Sequence, residues 1–204
     1  MNLYRTFSPK RRNSFQFLAN QAQQTALSLK LEKQNWIDEI FNRPTPIPPY
    51  FASRFGPPGY RRNVFYASER KQTTFFECSF GFLTRASLIE LSINAVCYEI
   101  RFQGSRPLDV RGAPNLSEIL DINPKNYGAA HAWLSSLSPQ PKSIAYPSVR
   151  EPNGSGINYA IFEKSAIDAT SAPTEELIIT PRASGLVDIE SLISGKLPSI
   201  HPIY

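Results

Sequence analysis

The sequence is short of histidine, cysteine and long apolar runs, and each shortage removes a class of chemistry. Only His131 and His201 are present, so a multi-histidine zinc site is not available, and a Ser-His-Asp triad would have to use one of these two. The two cysteines, Cys78 and Cys97, are spaced neither as a metal clip nor as a redox pair, and nothing suggests a disulfide-built secreted domain. No stretch approaches the roughly 20 apolar residues of a membrane span, and the start of the chain lacks a signal-peptide core. The expectation is a soluble, cytoplasmic protein without a metal centre. Its chemistry falls to carboxylate, hydroxyl and guanidinium groups.

Glycine is also scarce, with 10 against 18 prolines, which implies many rigid connections and few long uninterrupted elements. The 204 residues can bury a substantial core, and 41% hydrophobic with 12% aromatic content is that of a globular chain. A net charge of +5 would attract an anionic partner without selecting which. The basic residues come in short groups, Lys10-Arg11-Arg12 and Arg61-Arg62, whose plainest reading is a solvated face.

Residues 14–42 carry Phe15, Leu18, Ala22, Ala26, Leu29, Trp36 and Ile40 at helical spacing, with Ser14 as N-cap and Pro44 as terminator. The next segment, 43–59, holds six prolines and is predicted to be a stiff extended connection. Asn63 to Ser68 reads as a short strand, 72–83 as a helix with Phe76 and Phe80 facing inward, and 87–102 as a strand with a bulge near Val96. A helix is predicted over 127–137, and strands over 143–148 and 158–163, separated by the turn-rich 149–157. Residues 176–185 are predicted to add a last strand. This order lacks βαβ regularity and argues for an α+β fold, a compact mixed sheet with flanking helices.

Four residues could carry chemistry. Arg54 precedes Gly56-Pro57-Pro58-Gly59, and a guanidinium fixed on such a turn can hold a phosphate with paired hydrogen bonds; the plainer role is pairing to a loop carbonyl. Tyr66, near a strand end, either packs in the core or stacks on a flat heterocycle. Glu77 lies about 100° from Phe76 around a helix, at the edge of a buried face, where a carboxylate must pair or hydrogen-bond. A structural salt bridge to Arg61, Arg62 or Arg85 would serve equally. Ser148, with Arg150 two residues on, follows a proline at a strand end, where ligand sites gather and where serine also simply forms turns.

In this order, "RFGPPG", "VFY", "TTFFE" and "YPSVREPNGSGINYAIF" resemble the motifs of the RES domain family, named for its arginine, glutamate and serine. Tyr4-Arg5 is similar to the family's opening strand. Phe55 stands where the family usually has tryptophan, and Ala52-Ser53 where a glycine pair is common. The resemblance covers residues 3–163 and implies a single RES-like domain over 1–204, with 14–42 as a helical insertion or extension. It further implies a fold similar to ADP-ribosyltransferase toxins, and NAD as the substrate, with no separate cofactor. The implied partner is an Xre-type helix-turn-helix antitoxin protein, in a complex that allows a homo-oligomer, with neither nucleic acid nor membrane contacted directly.

The resemblance implies a toxin that degrades NAD by hydrolysis or phosphorolysis of its nicotinamide–ribose bond. Arg54, Glu77 and Ser148 are then the expected catalytic residues, and Arg54, Phe55, Tyr66, Ser148, Arg150 and Asn158 the expected substrate contacts. Nicotinamide leaves easily, so a fixed carboxylate beside an oxocarbenium-like centre suffices and histidine is not needed. A protein ADP-ribosyltransferase could use the same pocket. A nucleic-acid-binding module is the rival from another class; it predicts steep salt dependence and no turnover.

Overall fold

The computed structural model describes residues 1–7, 36–47, 52–83, 90–168 and 173–200. Ten strands form one mixed sheet: β1 (Asn2–Phe7), β2 (Phe65–Ser68), β3 (Ile93–Phe102), β4 (Leu108–Asp109), β5 (Ser143–Pro147), β6 (Ile157–Ile161), β7 (Ile167–Asp168), β8 (Pro173–Pro181), β9 (Val187–Ser191) and β10 (Gly195–Lys196). Their order is β10-β9-β8-β3-β1-β2-β6-β5-β4, with β7 pairing off the path with β3. Among the described residues, only β4 and β5 run parallel. The helices are α1 (Trp36–Phe41), α2 (Lys71–Leu83), α3 (Leu116–Ile119) and α4 (Gly128–Ser136). The fold is α+β.

Alternation along the central strands builds two faces. Val96, Tyr98, Ile100 and Phe102 of β3 join Leu3, Phe65, Tyr159 and Ile161 on the face that α1 covers through Ile37, Ile40 and Phe41. Ala95 and Cys97 point the other way and meet Phe75 and Phe76 of α2, together with Leu177, Ile179 and Ile189. A third cluster sits where α3 and α4 fold over β5 and β6, with Phe55, Val110, Ile119, Leu134, Ile144 and Tyr146 in contact. Each such side chain contributes roughly 1.5–3 kcal/mol on burial.

The sheet opens at its centre. β1 is paired to β3 along its whole length, from Asn2↔Arg101 to Phe7↔Val96, whereas β1 and β2 share only Tyr4↔Ser68. Beyond that pair the strands part. The backbone groups stranded in the slot find other partners, as buried amides must. Thr6 N–H donates to Thr74 Oγ1 of α2 at 2.9 Å, and the Tyr66 carbonyl accepts from the Arg5 guanidinium.

Several expectations need correction. Of the helix expected over 14–42, α1 covers Trp36–Phe41, and 14–35 lies outside the described residues. The strand predicted last, 176–185, is β8 and is followed by the β9–β10 hairpin, whose short Val-Asp-Ile-Glu-Ser strand carries too little pattern to stand out. The bulge expected in β3 near Val96 is present, between Cys97 and Tyr98. Phe80 does not join Phe76 in the core; it turns toward the cavity described next. Among the described residues, no helix is long and apolar enough to cross a membrane.

Candidate functional site

Beside the slot, under α2, lies a cavity of about 430 Å³, within the range of ligand sites. Its walls come from the two lips of the slot (Arg5, Thr6; Tyr66, Ala67, Ser68), from one face of α2, and from the loops around Arg54, Tyr127 and Arg150. On α2, Thr74, Glu77 and Cys78 recur at spacings of three and four, so one helix face serves the cavity while Phe75 and Phe76 serve the sheet.

Glu77 sits where the strands can hold it. Its Oε1 accepts from Ser148 Oγ at 2.7 Å and from Asn158 Nδ2 at 2.5 Å. Asn158 is oriented in turn, because its Oδ1 accepts from Ser68 Oγ at 2.7 Å, across the β2–β6 ladder that pairs the same two residues. Ser148 Oγ also accepts the backbone N–H groups of Arg150, at 3.3 Å, and Glu151, at 3.2 Å. The hydroxyl proton therefore has one place to go, the carboxylate. Among the described residues Oε2 makes no hydrogen bond, and Glu77 makes no salt bridge. Arg62 donates instead to the Pro141 carbonyl, Arg61 is exposed, and Arg85 lies outside the described residues.

Two guanidiniums define another wall. Arg54 is 6% exposed, donates to the Ile119 carbonyl at 3.1 Å and lies 4.7 Å above the Tyr127 ring. Arg150 is 2% exposed, donates to the Ile122 carbonyl and lies 3.5 Å from the centre of the Phe80 ring. Both are thus tied to the short stretch 119–122 at the C-terminal end of α3, and burial holds the Arg150 pKa below the ordinary guanidinium value. Arg54 pairs with a carbonyl at the C-terminal end of α3, not in a loop, and does so from a buried position at the cavity wall. Two cations from distant loops held against aromatic rings make a surface for an anion with more than one negative oxygen.

Tyr66 lines the cavity with its ring, and its phenol is committed elsewhere. The oxygen accepts from Phe55 N–H at 3.0 Å and shares a hydrogen bond with Ser53 Oγ at 2.9 Å, which fixes the turn ahead of Arg54. Burial pushes its pKa up to about 12. His131 fastens the same turn through Ser53 O at 2.9 Å. Tyr146 lies on the floor, its pKa raised first by burial and then by the charge of Glu77.

Arg54, Tyr66, Glu77, Arg150 and Asn158 share the cavity. Ser148 stands behind Glu77 and does not line it, so its contact is with the carboxylate. Phe55 is not at the cavity either. It is fully buried, edge-on to Tyr146 at 5.0 Å and to Trp133 at 6.2 Å, because the turn that carries Arg54 to the cavity wall drives the next side chain into the third cluster. Tyr127, Phe80, Tyr146, Ser68 and Arg5 were missed as site residues. Only Arg5 left a trace, as a charge inside an otherwise uncharged strand, "NLYRTF". No group of three or more His, Cys, Asp and Glu suited to a metal occurs among the described residues.

A family model described as RES domain matches residues 29–182, most of the chain and every cavity residue except Arg5 and Thr6. No curated protein matches it.

Proposed function

Since the chain belongs to the RES domain family, we propose that the cavity binds NAD and that the protein is a toxin that cleaves the nicotinamide–ribose bond. RES domains are associated in general with NAD-utilising activity and with toxin–antitoxin systems. A fold similar to ADP-ribosyltransferase toxins, and an Xre-type antitoxin that neutralises the activity, belong to the same proposal.

The observation that carries it is the Glu77 carboxylate, fixed through Oε1 by Ser148 and Asn158, in one cavity with two buried guanidiniums. Arg54 and Arg150 hold the pyrophosphate. Tyr66 and Tyr127 offer ring faces to the flat bases. Glu77 accepts from a ribose hydroxyl and stabilises the cation that develops at the anomeric carbon. The carbon–nitrogen bond breaks with its electron pair passing to the pyridinium nitrogen, which leaves as neutral nicotinamide. A water oxygen bonds to the carbon and releases a proton, or a phosphate oxygen takes its place. Because both donors on Glu77 Oε1 are neutral, the negative charge is oriented without being cancelled.

Glu77→Gln tests this, since it keeps the shape and removes the charge. NAD consumption by the purified protein is expected to fall at least ~100-fold, about 2.7 kcal/mol of transition-state stabilisation. Unchanged turnover would remove Glu77 from the mechanism. Product analysis by mass spectrometry separates free ADP-ribose or its phosphate from ADP-ribosylated protein, which would mark the transferase reaction instead.

A further inference from the structure

Tyr66 and Tyr146 both line the cavity, and their hydroxyls differ in what they do. Tyr66 commits its oxygen to Phe55 N–H and Ser53 Oγ. Tyr146 is 6% exposed, and among the described residues its hydroxyl makes no hydrogen bond, although a buried phenol normally finds a partner. We propose that the Tyr146 hydroxyl is a substrate contact, which together with Glu77 Oε2 reads one hydroxyl of the nicotinamide ribose. The assignment rests on the dinucleotide reading above, and it names the group that makes the site selective for a ribose over a deoxyribose.

Three observations carry the proposal. First, strand register puts the phenol beside the carboxylate. Ser68 pairs with Asn158 across β2 and β6, and Asn158 with Tyr146 across β6 and β5, so the three side chains form one row on the same face of the sheet. Asn158, at the centre of the row, bonds Glu77 Oε1, and Tyr146 is its direct neighbour. Second, the ring is held and aimed. Phe55 packs edge-on against it at 5.0 Å on the core side, while the groups whose charge acts on the phenol, Glu77, Tyr66, Arg54 and Tyr127, all line the cavity. Third, the two groups are complementary. Glu77 Oε2 only accepts, and among the described residues it makes no hydrogen bond, whereas a phenol donates. Burial, and next the Glu77 charge, raise the Tyr146 pKa well above the ordinary phenol value, so the proton stays on the oxygen.

A ribose hydroxyl has one proton to give and lone pairs to receive, so it satisfies Glu77 Oε2 and Tyr146 at once. An ionised phosphate oxygen does not fit the same place: it brings no proton for Oε2 and meets a like charge there. A methylene in place of the hydroxyl leaves both the phenol and the carboxylate unpaired. A site with buried polar groups stranded in this way rejects the analogue that lacks the hydroxyl.

The test is steady-state NAD consumption by the purified full chain and by Tyr146→Phe, which keeps the ring and its contact with Phe55. In the variant, kcat/KM for NAD is expected to fall at least ~5-fold. Two NAD analogues, lacking the 2′- or the 3′-hydroxyl of the nicotinamide ribose, assign the group that is read. On one of them Tyr146→Phe is expected to cost less than ~2-fold, because the partner of the phenol is already gone. Tm is expected to hold, since the hydroxyl has no bond within the protein to lose. An unchanged kcat/KM for NAD, or an equal fall on NAD and both analogues, overturns the proposal and leaves the dinucleotide reading in place. A Tm lowered by more than ~4 °C reveals an internal partner for the hydroxyl and overturns it as well. A wild type that does not turn over NAD overturns both readings.

Discussion

Ser148→Ala separates two roles that this serine could have. In the structure its hydroxyl is buried, gives its proton to Glu77 Oε1 at 2.7 Å and receives two backbone N–H groups at 3.2 and 3.3 Å. A hydrogen bond to a charged group contributes about 1.5–3 kcal/mol, and the N–H contacts are long enough to sit near the bottom of the neutral range. Asn158 stays on the same carboxylate oxygen, so Glu77 is loosened and not released. A loss of about 1.4–2 kcal/mol in the transition state corresponds to a 10- to 30-fold fall in kcat. Because Ser148 does not line the cavity, KM for NAD should change less than threefold. The fold should lose about 2 kcal/mol, or roughly 4–8 °C in Tm for a chain of this size. Steady-state kinetics with calorimetry measures all of these. An unchanged kcat with KM raised tenfold would mean that Ser148 touches the substrate directly, and the positioning argument would be wrong. Combined with Glu77→Gln, the serine change should cost almost nothing further in turnover, since the charge it orients is already gone.

Gly156→Ala should be damaging for a different reason: a Cβ there would stand 2.1 Å from Glu151 Oε2 and 2.4 Å from Thr73 Oγ1, two groups already bonded to each other. At least about 2 kcal/mol of stability should go, seen as a lower urea midpoint, and an unchanged midpoint would mean that the loop yields freely. Stability should also fall as pH rises from 9 toward 12. Burial raises the Cys78 thiol from 9.0 and the Tyr66 phenol from 10.0, each to about 12, and Tyr146 moves the same way, so the unfolded chain releases these protons first. Arg5, with a folded value lowered from 12.5 to about 10, and Arg150, also lowered by burial, oppose the trend. The buried Cys97 thiol and the Tyr159 phenol are raised and reinforce it, so the groups that lose stability outnumber those that gain it. Urea melts at pH 8 and pH 11 would show the drop, and a rising midpoint would refute it.

Regular elements were legible because their patterns are local. The helix over 72–83 is α2 at Lys71–Leu83, that over 127–137 is α4 at Gly128–Ser136, and the strands at β2, β5 and β6 shift by one to two residues at their ends. The β9–β10 hairpin and the four-residue α3 were not legible, being too short for a period to show. At the cavity, charged or hydroxyl-bearing residues in aromatic or turn-rich surroundings stood out, which is why Arg54, Glu77, Ser148 and Arg150 could be named. Phe55 was misplaced because sequence does not say which way a turn faces. Ser68, Tyr127 and Tyr146 left no signal, since their contribution comes from strand register and loop approach. Asn158 was expected to contact the substrate; its hydrogen bonds to Ser68 and Glu77 follow from the β2–β6 ladder.

The split in the sheet explains why these residues can meet at all. Continuous pairing of β1 with β2 would close the slot and satisfy every backbone group, leaving no cavity at the centre of the fold. Parting the strands after Tyr4↔Ser68 strands an N–H on Thr6 and a carbonyl on Tyr66, and an orphaned buried group costs about 1–3 kcal/mol. Thr74 repairs the first and Arg5 the second, so the opening is held at little cost to stability. Thr74 lies one helical turn before Glu77 on α2. The contact that mends the sheet therefore also sets the height of the carboxylate above the slot, and Ser148 and Asn158 then fix its direction. Position comes from the backbone repair and orientation from the strand ladder, which is how a helix can hold one carboxylate steadily at the cavity.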